Sequence, residues 1–201
     1  KINPLRANFI SERTDLKNKK ILDVACGGGL LAEALFLEGA KVSGVDISDV
    51  AIHTAKNHAK KKNIDINYIL GEAENLLPEN SEEFDVVTCL EAIEHVPDPN
   101  QLVKTCSDLC KKNGDIFFST INRNPKSFLF AIVGAEYILN LLPKGTHEYQ
   151  KFIKPSELIF MMENNGLKIQ ELTGMSYNPI TKNYWLGKNV DVNYLIHAKK
   201  I

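Results

Sequence analysis

Two stretches of the chain combine residue types that can do chemistry. The first is Asp23-Val24-Ala25-Cys26-Gly27-Gly28-Gly29, which closes an apolar run and opens a segment of helical period. Glycines at such a junction permit positive φ and carry no side chain, so a ligand can approach the backbone at a helix N-terminus. Asp23 stands inside the run, where a carboxylate is costly to bury without a hydrogen-bonding or cationic partner. Under a nucleotide-like ligand with a methionyl arm, it would organise the ammonium group, directly or through the glycine loop. Asp46 ends the next apolar run 19 residues after Gly27, placed to accept both hydroxyls of a ribose. Glu72 follows Tyr68-Ile69-Leu70-Gly71; it can accept a hydrogen bond from an adenine amino group, while Ala73 leaves room for the ring. Gly27, Gly29 and Ala32 also fit the G-x-G-x-x-A form of a dinucleotide fingerprint, so the spacing alone admits NAD as well as S-adenosylmethionine. A tight turn, with Asp46 capping the next helix, is the bland alternative.

The second stretch is Glu91-Ala92-Ile93-Glu94-His95-Val96-Pro97-Asp98-Pro99, after the fourth apolar run. If a helical turn starts there, Glu91, Glu94 and His95 share one face. Two carboxylates and an imidazole can hold a divalent cation, Mg²⁺ or Zn²⁺, or pair a base with its orienting acid. A phenol has a pKa of about 10, so either device would serve to generate phenolate for attack on a sulfonium methyl. Two carboxylates supply more oxygen ligands than base orientation needs, which favours the cation. A solvated turn before Val96-Pro97 is the plain alternative.

The elements that must position these residues are legible from apolar patterning. Residues 21–25, 42–46, 66–70, 84–90 and 116–120 are short and mostly apolar, as strands buried on both faces should be. Between them, residues 30–38, 49–62 and 101–112 carry apolar positions at helical spacing. That alternation predicts a mostly parallel sheet with crossover helices, whose C-terminal strand ends collect the ligand. Gly39 is placed as a helix C-terminal glycine, Ser48 as an N-cap, and Lys112-Asn113-Gly114 as the turn into the fifth strand. A further helix starts at Pro155 and runs to Asn164-Asn165-Gly166. Residues 167–173 and 190–197 alternate enough to form an antiparallel pair at the sheet edge.

Composition narrows the class. A chain of 201 residues, 44% hydrophobic and 24% charged, fits one α/β domain over residues 1–201. The formal charge of −1, from 24 basic and 25 acidic residues, excludes a general nucleic-acid binder. Cys26, Cys89, Cys106 and Cys110 form no C-x-x-C pair and read as reduced core thiols in a cytosol-like compartment. Lys1 to Arg13 lacks the apolar stretch of a signal peptide.

Nearly the whole chain resembles the ubiquinone biosynthesis O-methyltransferase family. The resemblance is carried by Asn3-Pro4-Leu5-Arg6, the Asp23–Gly29 loop, the Glu91–Pro99 stretch and Phe118-Ser119-Thr120-Ile121-Asn122-Arg123-Asn124. It continues in Val133-Gly134-Ala135-Glu136-Tyr137-Ile138-Leu139, Pro143-Lys144-Gly145-Thr146-His147 and Tyr177-Asn178-Pro179-Ile180-Thr181. The resemblance implies a Rossmann-like class I S-adenosylmethionine-dependent methyltransferase fold and O-methylation of polyprenylated phenol or catechol intermediates. It further implies that Arg6, Ala25, Asp46 and Leu90 contact S-adenosylmethionine. Members with a divalent-metal site match at Glu91, Glu94 and His95. Ala25 departs from the family's usual D-V-G-C-G-G-G, which has glycine there.

An apolar helical insert is expected at about residues 125–150. The segment Phe128-Leu142 is shorter than the about 20 residues a bilayer span needs and contains Glu136 and Asn140. It reads either as a buried helix over the substrate pocket or as an interfacial helix. Arg123 and Lys126 before it, with Lys144, Lys151 and Lys154 after it, suit an anionic lipid surface. The expectation is a cytoplasmic protein held peripherally at a bacterial inner membrane, or at the matrix side of the mitochondrial one, near other ubiquinone-biosynthesis proteins. Competing readings are a small-molecule methyltransferase of another pathway, an NAD-dependent oxidoreductase and a module that senses S-adenosylmethionine without chemistry.

Overall fold

The structure, a computed structural model, describes residues 2–125, 149–178 and 181–201. The segment Phe128-Leu142, and the expected insert apart from its margins, lie outside the described residues, as do Pro179 and Ile180.

The chain runs α1 (Ile2–Ser11), β1 (Lys20–Val24), α2 (Leu30–Leu37), β2 (Lys41–Asp46), α3 (Asp49–Lys62), β3 (Asn67–Leu70), α4 (Leu77–Asn80), β4 (Phe84–Leu90), α5 (Pro99–Leu109) and β5 (Cys110–Ile121). It then continues as α6 (Pro155–Asn164), β6 (Leu167–Asn178), β7 (Asn183–Gly187) and β8 (Asn193–Lys200). The eight strands form one sheet in the order β3-β2-β1-β4-β5-β8-β6-β7. The first five are parallel, and β8 enters antiparallel between β5 and β6. The expected edge pair is therefore corrected in two ways. β6 and β8 do pair, but β8 is an interior strand, and the outer edge is β7, a five-residue strand with alternating exposure.

Period-two alternation sends successive strand residues to opposite faces. Ile21, Val86, Phe117 and Leu195 face one cluster with Phe9, Ile10, Leu35 and Ala55. Leu22, Val87, Phe118 and Ile196 face the other, with Leu102, Cys106, Leu158 and Met162. Two apolar faces require cover on both sides, and α1–α3 against α5–α6 supply it. All four cysteines are buried and free, matching the expected core thiols.

Helix ends follow their caps. Ser48 Oγ accepts the Ala51 N–H at 3.3 Å, and Gly39 follows α2 with φ +94°. α5 stops at Leu109 rather than at Lys112, and β5 already begins at Cys110, so the expected turn at Lys112-Asn113-Gly114 is corrected: these residues lie within β5, at a register shift against β4, with Asn113 left-handed (φ +62°). The helix α1 was not anticipated. It is tied down by buried Phe9 and Ile10, and by Arg13, which stacks on Phe9 and binds both Glu171 oxygens at 2.8 Å. Among the described residues no helix is long and apolar enough to cross a membrane.

Candidate active site

Strand order reverses direction between β1 and β4, and that switch point is where an open α/β sheet binds ligands. The loop after β1 and the loop after β4 flank it. Four successive strand ends, β3-β2-β1-β4, thus carry Glu72, Asp46, the glycine loop and Glu91.

The glycine loop is left-handed at Ala25 (φ +55°), Gly27 (φ +54°) and Gly29 (φ +79°). Gly29 is irreplaceable for a second reason: a Cβ there would collide with the Tyr68 side chain, whose hydroxyl donates to Gly29 O at 3.3 Å. Ala25 adopts the left-handed backbone without being glycine, a conformation that costs an L-residue about 1–2 kcal/mol. Its side chain is exposed. The Asp46 carboxylate holds the loop closed, accepting Gly27 N–H on Oδ2 and Ser48 N–H on Oδ1, each at 2.8 Å. Each oxygen keeps a further lone pair for a ligand hydroxyl. Glu72, exposed at the end of β3, is joined to this corner because Gly71 N–H donates to Asp46 O at 3.0 Å.

Asp23 is 3% exposed and accepts Thr88 Oγ1–H at 2.7 Å. Burial pushes its pKa up to about 7, against the stabilising pull of Thr88 and of the Arg6 charge. A buried acid poised near neutrality is what a cationic ligand group would convert into a fixed anion.

The loop after β4 does not form the expected helix face. Glu91 is itself left-handed (φ +58°), and only a short 3-10 turn, Ile93–His95, follows. The two carboxylates consequently have separate hydrogen-bond partners. Glu91 is spent on an ion pair with Arg6 at 3.0 Å, on Ser119 Oγ–H at 2.7 Å and on Asn193 Nδ2–H at 3.0 and 3.1 Å. Glu94 is buried and accepts Thr120 Oγ1–H at 2.8 Å, and burial, then the Glu91 charge, raises its pKa to about 7. His95 is exposed at the end of the turn. Among the described residues no three His, Cys, Asp or Glu side chains are gathered to hold a metal ion. In this arrangement Glu91, Glu94 and His95 are not assembled into the Mg²⁺ or Zn²⁺ ligand set expected of them, and each carboxylate is taken by a hydroxyl of β5.

Three partners here were not assigned a role from the sequence: Ser119 and Thr120 at the end of β5, and Asn193 at the start of β8. The signal for the first two was present, as paired hydroxyls ending an apolar strand. Arg6 reaches the site from α1, and its Nε is buried without a hydrogen-bond partner among the described residues. Leu90, the last residue of β4, lies half-buried opposite Ser119. The β6–β7 hairpin adds Tyr177 and Tyr184, with ring centres 4.5 Å apart and the Arg6 charge acting on Tyr184.

Comparison with known proteins decides among the ligands these acids could serve. Residues 22–118 match the methyltransferase-domain family. The chain is 56% identical over 201 residues to a ubiquinone biosynthesis O-methyltransferase of Saccharophagus degradans, covering 100% of this chain and 85% of that one. It is 52% identical to a protein of the same name from Acinetobacter baylyi, covering 99% and 84%. The chain belongs to the ubiquinone biosynthesis O-methyltransferase family. It is an S-adenosylmethionine-dependent O-methyltransferase, and the NAD-dependent reading falls away. Solved structures confirm the fold alone. Magnesium protoporphyrin IX methyltransferase from Synechocystis, with bound SAH, superposes with a TM-score of 0.72 at 17% identity, over 100% of this chain and 82% of that one. A methyltransferase from Methanosarcina mazei gives 0.71 at 21% identity, over 96% and 97%. The glycine that the resemblance leads one to expect at position 25 has a physical reason, the left-handed backbone there.

Proposed function

We propose that this enzyme transfers the methyl group of S-adenosylmethionine to phenolic hydroxyls of polyprenylated catechols or phenols on the route to ubiquinone. The observation that carries the reading is the convergence at the β1/β4 switch point. There a glycine loop, a buried acid and the Arg6–Glu91 pair meet in a chain of this family. Residues 1–201 read as one methyltransferase domain.

The cofactor fits these residues part by part. Asp46 takes the ribose hydroxyls, and Glu72 the adenine amino group. Asp23 serves the methionyl ammonium beneath the Ala25-Cys26-Gly27-Gly28-Gly29 backbone. The orphaned Arg6 Nε is a buried donor suited to the methionyl carboxylate, and Leu90 supplies apolar contact beside it. Transfer itself forms the bond from phenol oxygen to methyl carbon as the sulfonium carbon–sulfur bond breaks, which needs those atoms about 3–3.5 Å apart in line. The phenolic proton goes to the Glu94–His95 side of the site. Glu94, with a pKa of about 7, has the basicity that proton transfer near neutral pH favours.

The apolar segment Phe128-Leu142, with its basic flanks, would bring this chemistry to an anionic membrane surface where a prenylated substrate dissolves. Replacing Phe128, Phe130 and Ile132 with Ser should lower liposome co-sedimentation, and equal sedimentation of variant and wild type would remove the membrane role. Function is tested by incubating the protein with methyl-labelled S-adenosylmethionine and a prenylated catechol. Label in the extracted catechol is expected; label left wholly in the cofactor would refute the reading.

A further inference from the structure

Helix α6 has two committed faces. Leu158 and Met162, one turn apart, are buried in the core. Ser156 with Phe160, and Glu157 with Met161, instead line a cavity of about 800 Å³. The facing wall comes from Val96, Pro97 and Pro99, and buried Phe152 and Ile153 also line it. The volume lies within the range of about 300–1,000 Å³ typical of small-ligand pockets. Phe160 is 66% exposed, a large apolar side chain turned away from a core that its own helix already serves.

Several of the charged groups along this groove have other work. Asp98 caps α5 by accepting Gln101 N–H at 3.1 Å, and Arg123 pairs with Glu157. What remains is a mainly apolar trough, suited to hydrocarbon. It is also continuous with the site. Glu94 lines it and is held by Thr120, whose chain neighbour Ser119 binds Glu91. A phenol at the β4–β5 strand ends therefore has the groove beside it.

We propose that this groove between the Val96–Pro99 loop and α6 binds the isoprenoid tail of the substrate, an inference that rests on the prenylated-phenol function above. Apolar walls running from the reacting end would select tailed over tailless phenols by burying hydrocarbon.

The test compares kcat/KM for a farnesylated catechol with that for the tailless catechol, in wild type, in Phe160→Ser/Met161→Ser and in Ser156→Trp. The first variant strips the apolar wall at exposed Phe160 and half-buried Met161, and the second obstructs the groove from exposed Ser156; because Met161 also packs against the core, a thermal melt checks that each variant is folded. In wild type the farnesylated compound is preferred, and that ratio falls about tenfold in each variant. An unchanged ratio in both variants, with wild type still methylating the farnesylated catechol, would overturn the tail site and leave the function standing. Wild type that methylates neither compound would overturn both.

Discussion

Asp46→Ala is the substitution whose consequences the geometry specifies most fully. The carboxylate makes two backbone hydrogen bonds in the protein, to Gly27 and Ser48, both at 2.8 Å. It is assigned two more in the complex, to the ribose hydroxyls. A hydrogen bond to a charged group contributes about 1.5–3 kcal/mol. Loss of the two ribose bonds should weaken S-adenosylmethionine binding by about 3–6 kcal/mol, a factor of about 10²–10⁴ in Kd. The loop bonds are half-exposed, so their loss should cost the free protein only about 1–2 kcal/mol, or about 2–8 °C in Tm. Titration calorimetry and a thermal melt measure the two effects separately. A 2′-deoxy analogue of the cofactor completes a double-mutant cycle: it should bind wild type more weakly than S-adenosylmethionine does, yet lose less on going to the variant. A folded variant whose Kd stays within about threefold of wild type would refute the ribose assignment.

Ala25→Gly relieves a left-handed alanine at a small entropic cost, so Tm should rise by about 1–4 °C; a fall would show that the side chain is making an unrecognised contact. Asp23 has a folded pKa near 7 against an unfolded value near 4. Its contribution to stability is therefore full below about pH 4 and is lost as pH rises through about 7. The Tm of Asp23→Asn relative to wild type should accordingly climb across that window, and a constant difference would contradict the buried-acid account. Asn193→Ala removes two bonds to Glu91 and should raise KM for S-adenosylmethionine about tenfold. Asn193→Asp should be worse, because it sets a like charge against Glu91; equal effects of the two would point to packing alone.

The parallel half of the sheet was readable because strands buried on both faces advertise themselves as apolar runs, and Ser48 and Gly39 marked the helix ends. The edge was not. β7 alternates exposed and half-buried residues over five positions and owes its existence to pairing with β6, which no local pattern announces. The α1 helix carries no acidic first turn and no basic last turn, so its start and stop signals were absent. At the site, spacing set Asp46 beside the glycine loop, and the structure joins it to Gly27 by a hydrogen bond. The Glu91 network was not found by spacing, since Ser119 and Asn193 lie 28 and 102 residues away in sequence. The shared helix face assumed for Glu91, Glu94 and His95 failed on one backbone angle. Glutamate at φ +58° is rare enough that spacing cannot anticipate it.

The central claim, transfer of a methyl group to a phenolic oxygen, is tested most directly by locating the methyl in the product. The enzyme is given S-adenosylmethionine carrying a ¹³C-methyl group and a prenylated catechol, and the extracted product is analysed by NMR and mass spectrometry. The account predicts one labelled methoxyl on the ring per turnover, with a matching amount of S-adenosylhomocysteine. A methyl on a ring carbon, or cofactor consumed without methylated catechol, would contradict it.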